Sequence, residues 1–527
     1  MTKFDRLPAL MIAILAVCAG AFAQDAAPVP AQPMVTPPSA GPVGEVPPPQ
    51  ATLPPPANPN APAAPAQPEL TLEECISRAL KKNFDLEIGR YNPQIAQDAI
   101  TVAGANYEPV LTASGTDGKI ITGASGTSAS SSSRTSDLRV GVTQQLYTGT
   151  TLSASSALDR SDRDPAVLAL NPAYNADLTL SARQSLLRGF GTNVNRANVH
   201  RAEIGLERAR LDYKSQVLNV VQSTETAYYN LAFAQEQLAV RNISLDLANR
   251  LFEEAKTRRD TGVATDLDVL SAQVGVANAQ RNVILAQQSA KDRQDELLAL
   301  IGQFELDAPV GTVTFPRVAE AAPMFASSYN LAKQNQPDYL SSKAAIDQFK
   351  LDLVVAKDAT KPDLSVGGAL GLNGNRGSAH DAFGDALDSQ NHSWQVDFAF
   401  SYPWGRKSDK ARYRQALATL NREEVRLRQI EQTIEVQVRS AVRSVDANME
   451  SVKIAALSSE LSQKQYELEK ARFDAGLSTS YRVLQAQTDY DNARVNELQA
   501  RVALNSAVSA LHRIEGSSLQ RYHVDLP

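Results

Sequence analysis

Cysteine and histidine are scarce in this 527-residue chain, and each shortage removes a class of function. The two cysteines are Cys18 and Cys75. Cys18 lies in a leader-like segment, so one thiol remains after processing, and neither an internal disulfide nor a cysteine metal cluster can form. The five histidines, His200, His380, His392, His512 and His523, are scattered without metal-ligand spacing. No Ser-His-Asp or catalytic Cys grouping assembles, so no catalytic, metal or cofactor residue is assigned. Gly115-Thr116-Asp117-Gly118-Lys119 lacks both the spacing of a phosphate loop and the hydroxyl residue after the lysine, and reads as a turn. Positive charge is not in excess: the net charge is −6, which gives no electrostatic reason to expect nucleic acid. Beyond the leader, no apolar run is long enough for a membrane-spanning helix. Aromatics are only 6% of residues while hydrophobic content is 43%, a balance suited to helices packed closely side by side.

Met1–Ala23 has a secretory layout: Lys3 and Arg6, an apolar stretch from Leu7 to Val17, and Ala21-Phe22-Ala23 as a small-x-small site. Cleavage is expected between Ala23 and Gln24. Cys18 raises the possibility of lipidation, against which stands Val17, larger than lipobox sites usually accept. Residues 24–69 are dominated by Pro and Ala, cannot bury a core, and read as a disordered or polyproline-II tether. Folded structure is expected from about Leu70.

Proline is also missing from two long stretches. Asn195–Asp260 has none and only Gly205, and Ser408–Asp474 has neither proline nor glycine. Val217, Val220, Thr224, Ala227, Leu231, Ala234 and Leu238 advance in steps of three and four, the pattern of supercoiled helices. Each stretch predicts a helix of roughly 100 Å at 1.5 Å per residue. Leu86–Asn106 with Thr265–Leu300, and Asp338–Ala359 with Thr479–Arg513, have combined lengths close to one long helix. Pairs of short helices stacked end to end would then match the long ones.

Alternating segments lie between these helices. Val110–Ile121, Asp137–Leu146, Thr151–Ala157, Ala176–Leu186, Asp363–Leu372 and Trp394–Tyr402 place apolar residues at every second position. This fits both outer-membrane barrel strands and a half-buried soluble sheet. Gly123–Ser136, with the serine-rich run Ser125–Ser133, and Asn373–Asn391 read as external loops.

Residues 255–302 recur at 469–516 without insertion. Arg258 aligns with Arg472, Gly262 with Gly476, Thr265 with Thr479 and Gly302 with Gly516. Each copy reads as the end of a long helix, a turn at glycine and a returning helix, so the chain carries an internal two-fold repeat.

Several of these stretches together carry a resemblance. Leu70-Thr71-Leu72-Glu73-Glu74 resembles an opening helix. Tyr107-Glu108-Pro109 and Lys361-Pro362 resemble helix-to-strand junctions. Gln184-Ser185-Leu186-Leu187-Arg188-Gly189-Phe190-Gly191 and Tyr402-Pro403-Trp404-Gly405 resemble strand-to-helix junctions. Gly262 through Gln273, with its repeat, resembles the tip hairpins. In this order they resemble the TolC-like outer-membrane efflux proteins, from Leu70 to about Gly516. The fold class expected is mainly α with a membrane β-barrel portion. Long antiparallel coiled-coil helices would form a trimeric α-barrel tunnel, with about four transmembrane β-strands per subunit. Independently of the resemblance, four tilted strands cannot close a barrel, and an open edge in lipid leaves backbone groups unsatisfied, so closure must recruit copies. The first half offers more strands than that pattern needs, and residues 137–157 read as an added hairpin of unassigned place.

The division expected is a signal peptide (1–23), tether (24–69), first efflux repeat (70–302), linker (303–322), second repeat (323–516) and tail (517–527). The function implied is the passive outer-membrane conduit of a tripartite efflux or type I secretion system. Its implied partners are two further copies, a periplasmic adaptor, an inner-membrane RND or ABC transporter and outer-membrane lipid. The alternatives are a periplasmic coiled-coil scaffold or a structural envelope protein held by the tether.

Site expectations centre on the tips. Gly262 and Gly476 suit left-handed C-terminal caps, and Thr265 with Asp268 suits a capping box. The resemblance places Asp268 at the periplasmic gate, with Arg482 and Gln485 where acidic residues are usual in the family. A latch of Asp268 against Arg482 of a neighbouring hairpin is set against plain helix capping and solvated charge. Arg258 and Arg472, with Thr479 and the tip turns, are candidates for adaptor contact, or simply cations at helix C-termini.

Overall fold

The computed structural model describes residues 70–124, 126, 130–164, 169–302, 310–315, 323–388 and 390–522. The leader, its cleavage site and the tether lie outside the described residues. The chain opens with α1 (Leu72–Lys82), α2 (Phe84–Gly89) and α3 (Tyr91–Gly104), followed by β1 (Val110–Thr122), β2 (Ser131–Gln145), β3 (Thr150–Asp164) and β4 (Ala173–Ser185). Next come α4 (Ala197–Asp260), α5 (Asp266–Leu300), α6 (Phe325–Asn335) and α7 (Pro337–Asp358). Then follow β5 (Asp363–Arg376), α8 (Ala379–Leu387), β6 (His392–Ser401), α9 (Lys407–Asp474) and α10 (Ser480–Glu515).

The two proline-free stretches form α4 and α9, of 64 and 68 residues. At 1.5 Å per residue they are about 96 and 102 Å long. α5 folds back on α4 and α10 on α9, while α4 also packs against α10. Nearer the sheet, α3 and α7 flank α4, and α7 also touches α9. The short helices do meet end to end. Asn83, between α1 and α2, donates its Nδ2 to the Leu300 carbonyl at the end of α5, 2.9 Å away. At Gly302 and Gly516 an added Cβ would lie 2.0 and 2.8 Å from the carbonyl oxygens of Lys82 and Asn335, so the helix ends close on α1 and α6 only without side chains there.

Burial concentrates where these ends meet. Ile76, Leu218, Leu231, Leu297 and Ile301 pack as one cluster around the middle of α4, and Tyr339, Ile434, Val438, Leu504 and Leu511 as another around α9. Val217 to Ala234 is buried on several sides because α1, α3, α5, α7 and α10 all contact α4. The segment expected as linker adds to this belt: Val313 is buried and Tyr228 donates its hydroxyl to the carbonyls of Leu70 and Thr314. The described part of the expected tail packs as well, with Leu519 in the cluster and the Tyr522 hydroxyl on Glu225.

The strands form one antiparallel sheet in the order β1-β2-β3-β4-β5-β6. It has six strands where about four were expected. Residues 137–157 form the expected hairpin and now have a place: Asp137–Gln145 belongs to β2 and Thr150–Ala157 to β3, central in the sheet. Three further expectations are corrected. Gly115–Lys119 is the middle of β1 rather than a turn, since its backbone pairs residue for residue with Arg134–Leu138. Ser131–Ser136 is strand rather than loop, because its backbone pairs with Asp117–Thr122 of β1 and, from Ser132 on, with β3. Asn373–Asn391 contains the end of β5 and the helix α8, started by Ser378, whose hydroxyl accepts the Asp381 amide.

Candidate functional site: the two faces of the sheet and the helical tips

The two faces of the sheet differ sharply. One paired row crosses all six strands as Leu111, Val142, Ala154, Leu180, Leu370 and Trp394. The adjacent row, facing the other way, reads Thr112, Gly141, Ser155, Thr179, Gly371 and Ser393. Strict period-two alternation through an unbroken register keeps each row on its face. On the apolar face Trp394 is 73% exposed and Phe398 74%, which no water-facing sheet would favour. Towards the outer end that face turns charged, with Asp117 bridged by Arg134 at 2.7 Å. Past the helix-side ends of the strands Phe190, Tyr402 and Trp404 are exposed, as the aromatic girdle of a barrel would be, and Tyr402 stacks on Phe400 of that face. The opposite face carries charges that pair across strands, such as Arg183 with Asp397 at 2.7 Å.

α8 rests on the outer end of the apolar face. Ala382 and Ala386 bury Ala176, and the helix lies directly over Gly374. Sequence reading missed it because nine residues with an internal glycine give little over two turns of pattern. At the opposite end of the sheet, the turn between β2 and β3 is seated on the junction leading to α4. The Gly191 amide donates to the Thr148 carbonyl (3.2 Å), Tyr107 packs on Tyr147 at 4.2 Å, and the Tyr107 hydroxyl donates to the Asn195 carbonyl.

At the far ends of the long helices the two hairpins share one backbone design. Gly262 and Gly476 have φ of 76° and 75°. The Gly262 and Val263 amides bond the carbonyls of Arg259 and Arg258, both at 2.9 Å, and Gly476 and Leu477 repeat this on Phe473 and Arg472 at 2.9 and 2.8 Å. These are Schellman caps, which only a residue tolerant of positive φ closes without strain.

The return helices start differently. Thr265 accepts the Asp268 amide, and the Asp268 carboxylate accepts the Thr265 amide at 3.0 Å and hydroxyl at 2.7 Å, a complete capping box. Those bonds from Thr265, with a smaller one from Ser480, hold the Asp268 carboxyl below the usual carboxylate range, so it is ionised at neutral pH. Thr479 makes no side-chain cap bond, and Arg482 at the third helical position has no carboxylate to return one to the Thr479 amide. Arg482 is exposed, and no ion pair to it occurs within the chain among the described residues. Gln485 donates to Asp489 at 3.1 Å.

Arg258 and Arg472, equivalent in sequence, are not equivalent in space. Arg258 crosses to the other hairpin, donating to the Phe473 carbonyl at 3.1 Å, lying 4.1 Å over the Phe473 ring and pairing with Glu254 at 2.6 Å. Arg472 stays on its own helix, 3.5 Å from Glu469. The difference was legible: the residue aligned with Phe473 is Arg259, which offers no ring and pairs with Asp260 at 2.6 Å. Leu484 packs against Gly275 and Leu251 against Phe473 and Val483, fastening the hairpins together.

No helix among the described residues is long and apolar enough to cross a membrane. The exposed apolar row, its aromatic girdle and a polar opposite face, continuous with helices near 100 Å, define an outer-membrane channel of the efflux class. The chain belongs to the outer membrane efflux protein family, whose pattern it matches over residues 151–303 and 328–517. It is 24% identical over 463 residues to the pyoverdine export outer membrane protein OpmQ of Pseudomonas aeruginosa, covering 85% of each chain. It is 25% identical to OpmQ of Pseudomonas putida over 58% of this chain and 64% of that one, so it spans somewhat less than two thirds of that relative. To TolC of Escherichia coli it is 21% identical over 57% of this chain and 63% of that one. Its fold is similar to that of the outer-membrane channel OprN, with a TM-score of 0.64 at 19% identity over 85% of this chain and 90% of that one. The open state of the Neisseria gonorrhoeae MtrE channel gives 0.61 at 17%, over 85% and 89%.

Proposed function

We propose that three copies assemble side by side into one tunnel, the sheets standing in the outer membrane and the hairpins narrowing the periplasmic end. The tunnel is a passive conduit from a periplasmic adaptor and an inner-membrane RND or ABC transporter to the exterior. The duplicated halves supply equivalent helix pairs, as the shared caps at Gly262 and Gly476 suggest.

One observation carries this reading: the chain has an unpartnered apolar seam on each flank, at matching heights. On one flank α5 leaves Leu267, Leu270, Val274 and Ile284 exposed, and α3, which has no buried residue, leaves Ile95 and Val102 exposed. On the other, α9 exposes Ile454, Leu457, Leu461 and Leu468, with Val425 and Val436 nearer the sheet. Steps of three, four, seven and ten all keep the phase of a coiled-coil seam awaiting a helix. Ile454 to Leu468 lie 6 to 20 residues before the tip of α9, and Leu267 to Ile284 lie 1 to 18 residues after the start of α5. α9 of one copy and α5 of the next therefore supply each other's missing partner. A periplasmic scaffold would use such seams too, but it gives no reason for the apolar row across the sheet.

At the tip, Asp268 caps its helix in every copy while Arg482 is left for a neighbour, so a ring of Asp268–Arg482 contacts between copies would hold the end shut. Arg472, exposed and loosely held, and Thr479 are available to the adaptor; Arg258 is occupied in joining the hairpins. Arg482→Glu is expected to raise single-channel conductance, and unchanged conductance removes the latch. The assembly itself is tested by fractionating membranes: heat-modifiable trimers in the outer membrane are expected. A monomer released by salt, without detergent, refutes it.

A further inference from the structure

We propose that all six strands of each copy stand in the barrel wall, so that three copies close an eighteen-stranded barrel with β1 of one copy paired to β6 of the next. This rests on the trimeric reading above, and it departs from the four strands per subunit that the family resemblance implied.

The sheet itself gives the first argument. β2 and β3 have 15 residues each and β1 and β4 have 13, against the 9–11 or so that a tilted strand needs to cross a bilayer. Pairing runs without a bulge from β1 through β6, so no hairpin is set apart as a flap. The β2–β3 turn reaches the same end of the sheet as the strand-to-helix junction and is bonded to it through Thr148 and Gly191. The apolar row also continues through β2 and β3 as Val142 and Ala154, with Gly141 and Ser155 on the polar face. A hairpin lying outside the wall would have no use for that match.

Perimeter gives the second. Below the sheet each copy presents the packed series α3, α4, α7 and α9. At axis spacings of 8–10 Å these cover about 36 Å of arc. Six strands 4.7–4.9 Å apart, tilted about 40°, cover about 38 Å. Six tilted strands therefore span an arc that matches the four helices beneath them.

The edges give the third. Side chains along β1 and β6 are almost all exposed, including Leu111, Phe398 and Phe400 on the apolar face. Each edge strand also keeps a free row of backbone donors and acceptors, which lipid cannot satisfy.

The test places single spin-labelled cysteines at Val140, Gly141, Ser155 and Ser156 in full-length protein carrying Cys75→Ala, with Thr179 and Leu180 in β4 as reference positions. Accessibility to dissolved oxygen against a water-soluble nickel chelate is read in liposomes. Val140 and Ser156 should follow Leu180 in favouring oxygen several-fold, and Gly141 and Ser155 should follow Thr179 in favouring the chelate. Conducting trimers in which β4 alternates while β2 and β3 are water-accessible at both members of each pair overturn the proposal and leave the trimer standing. Failure of wild-type protein to form trimers overturns both. Should a cysteine variant not assemble, end-on electron cryomicroscopy of wild-type trimers decides: eighteen strands support the proposal and twelve refute it.

Discussion

The exposed seam of α9 permits a worked prediction. Leu457 and Leu461 are 56% and 55% exposed in the isolated chain and one helical turn apart. Burying a leucine completely is worth about 1.5–3 kcal/mol, so covering the exposed half of each contributes about 1–1.5 kcal/mol. With two residues on each of three seams, Leu457→Ser/Leu461→Ser should weaken the trimer by about 6–9 kcal/mol. The isolated chain should lose almost nothing, because serine at an exposed helical position changes stability by only about 0.5 kcal/mol. Unheated electrophoresis after a temperature ramp reads trimer dissociation, and circular dichroism reads helix content. The expected result is a large drop in dissociation temperature with helix content preserved. Val263→Ser, at a tip residue 76% exposed but off the seam, is the control and should leave the trimer unchanged. Equal behaviour of the two variants would refute the pairing of α9 with a neighbour's α5.

Arg258→Ala should loosen the hairpins by about 2 kcal/mol or more, since it removes a charge-assisted bond to the Phe473 carbonyl and a ring contact. Arg472→Ala should change stability by less than about 1 kcal/mol; limited proteolysis at the tips reads both. Thr265→Ala should cost about 1 kcal/mol through the lost capping box, whereas Thr479→Ala, with no bond to lose, should be close to neutral in thermal melts. Glu225, 1% exposed, has its carboxyl pushed up by burial, only partly offset by the Tyr522 and Ser509 hydroxyls and Arg521. The folded state thus holds the Glu225 proton more tightly than the unfolded one. That contribution is full below the ordinary carboxylate range and is lost as pH rises through the raised folded value. Glu225→Gln should flatten that part of the pH–stability curve and raise stability at neutral pH, as read by detergent-phase melting against pH.

The long helices were legible because a period near 3.5 sustained over some sixty residues, with no proline, admits little else. The tip turns were legible because glycine punctuates an otherwise unbroken pattern. What escaped the sequence depended on contacts between distant segments. Ser131–Ser136 shows no apolar alternation, and its strand exists because β1 and β3 hydrogen-bond it from both sides. α8 is too short for its period to show and is placed by small residues, Ala382 and Ala386 on Ala176. Arg258 and Arg472 looked interchangeable while the repeat was read for identities; their fates diverge at a position where the copies differ, Arg259 against Phe473. Repeats conceal function where they agree and disclose it where they do not.

The central claim is that copies of this chain enclose a continuous water-filled path through the outer membrane, and single-channel recording from purified trimers in a planar bilayer tests it most directly. Discrete ohmic steps from the trimer fraction, absent from heat-dissociated monomer, are the result expected. Trimers that insert into the bilayer and pass no current, before and after Arg482→Glu, would contradict it.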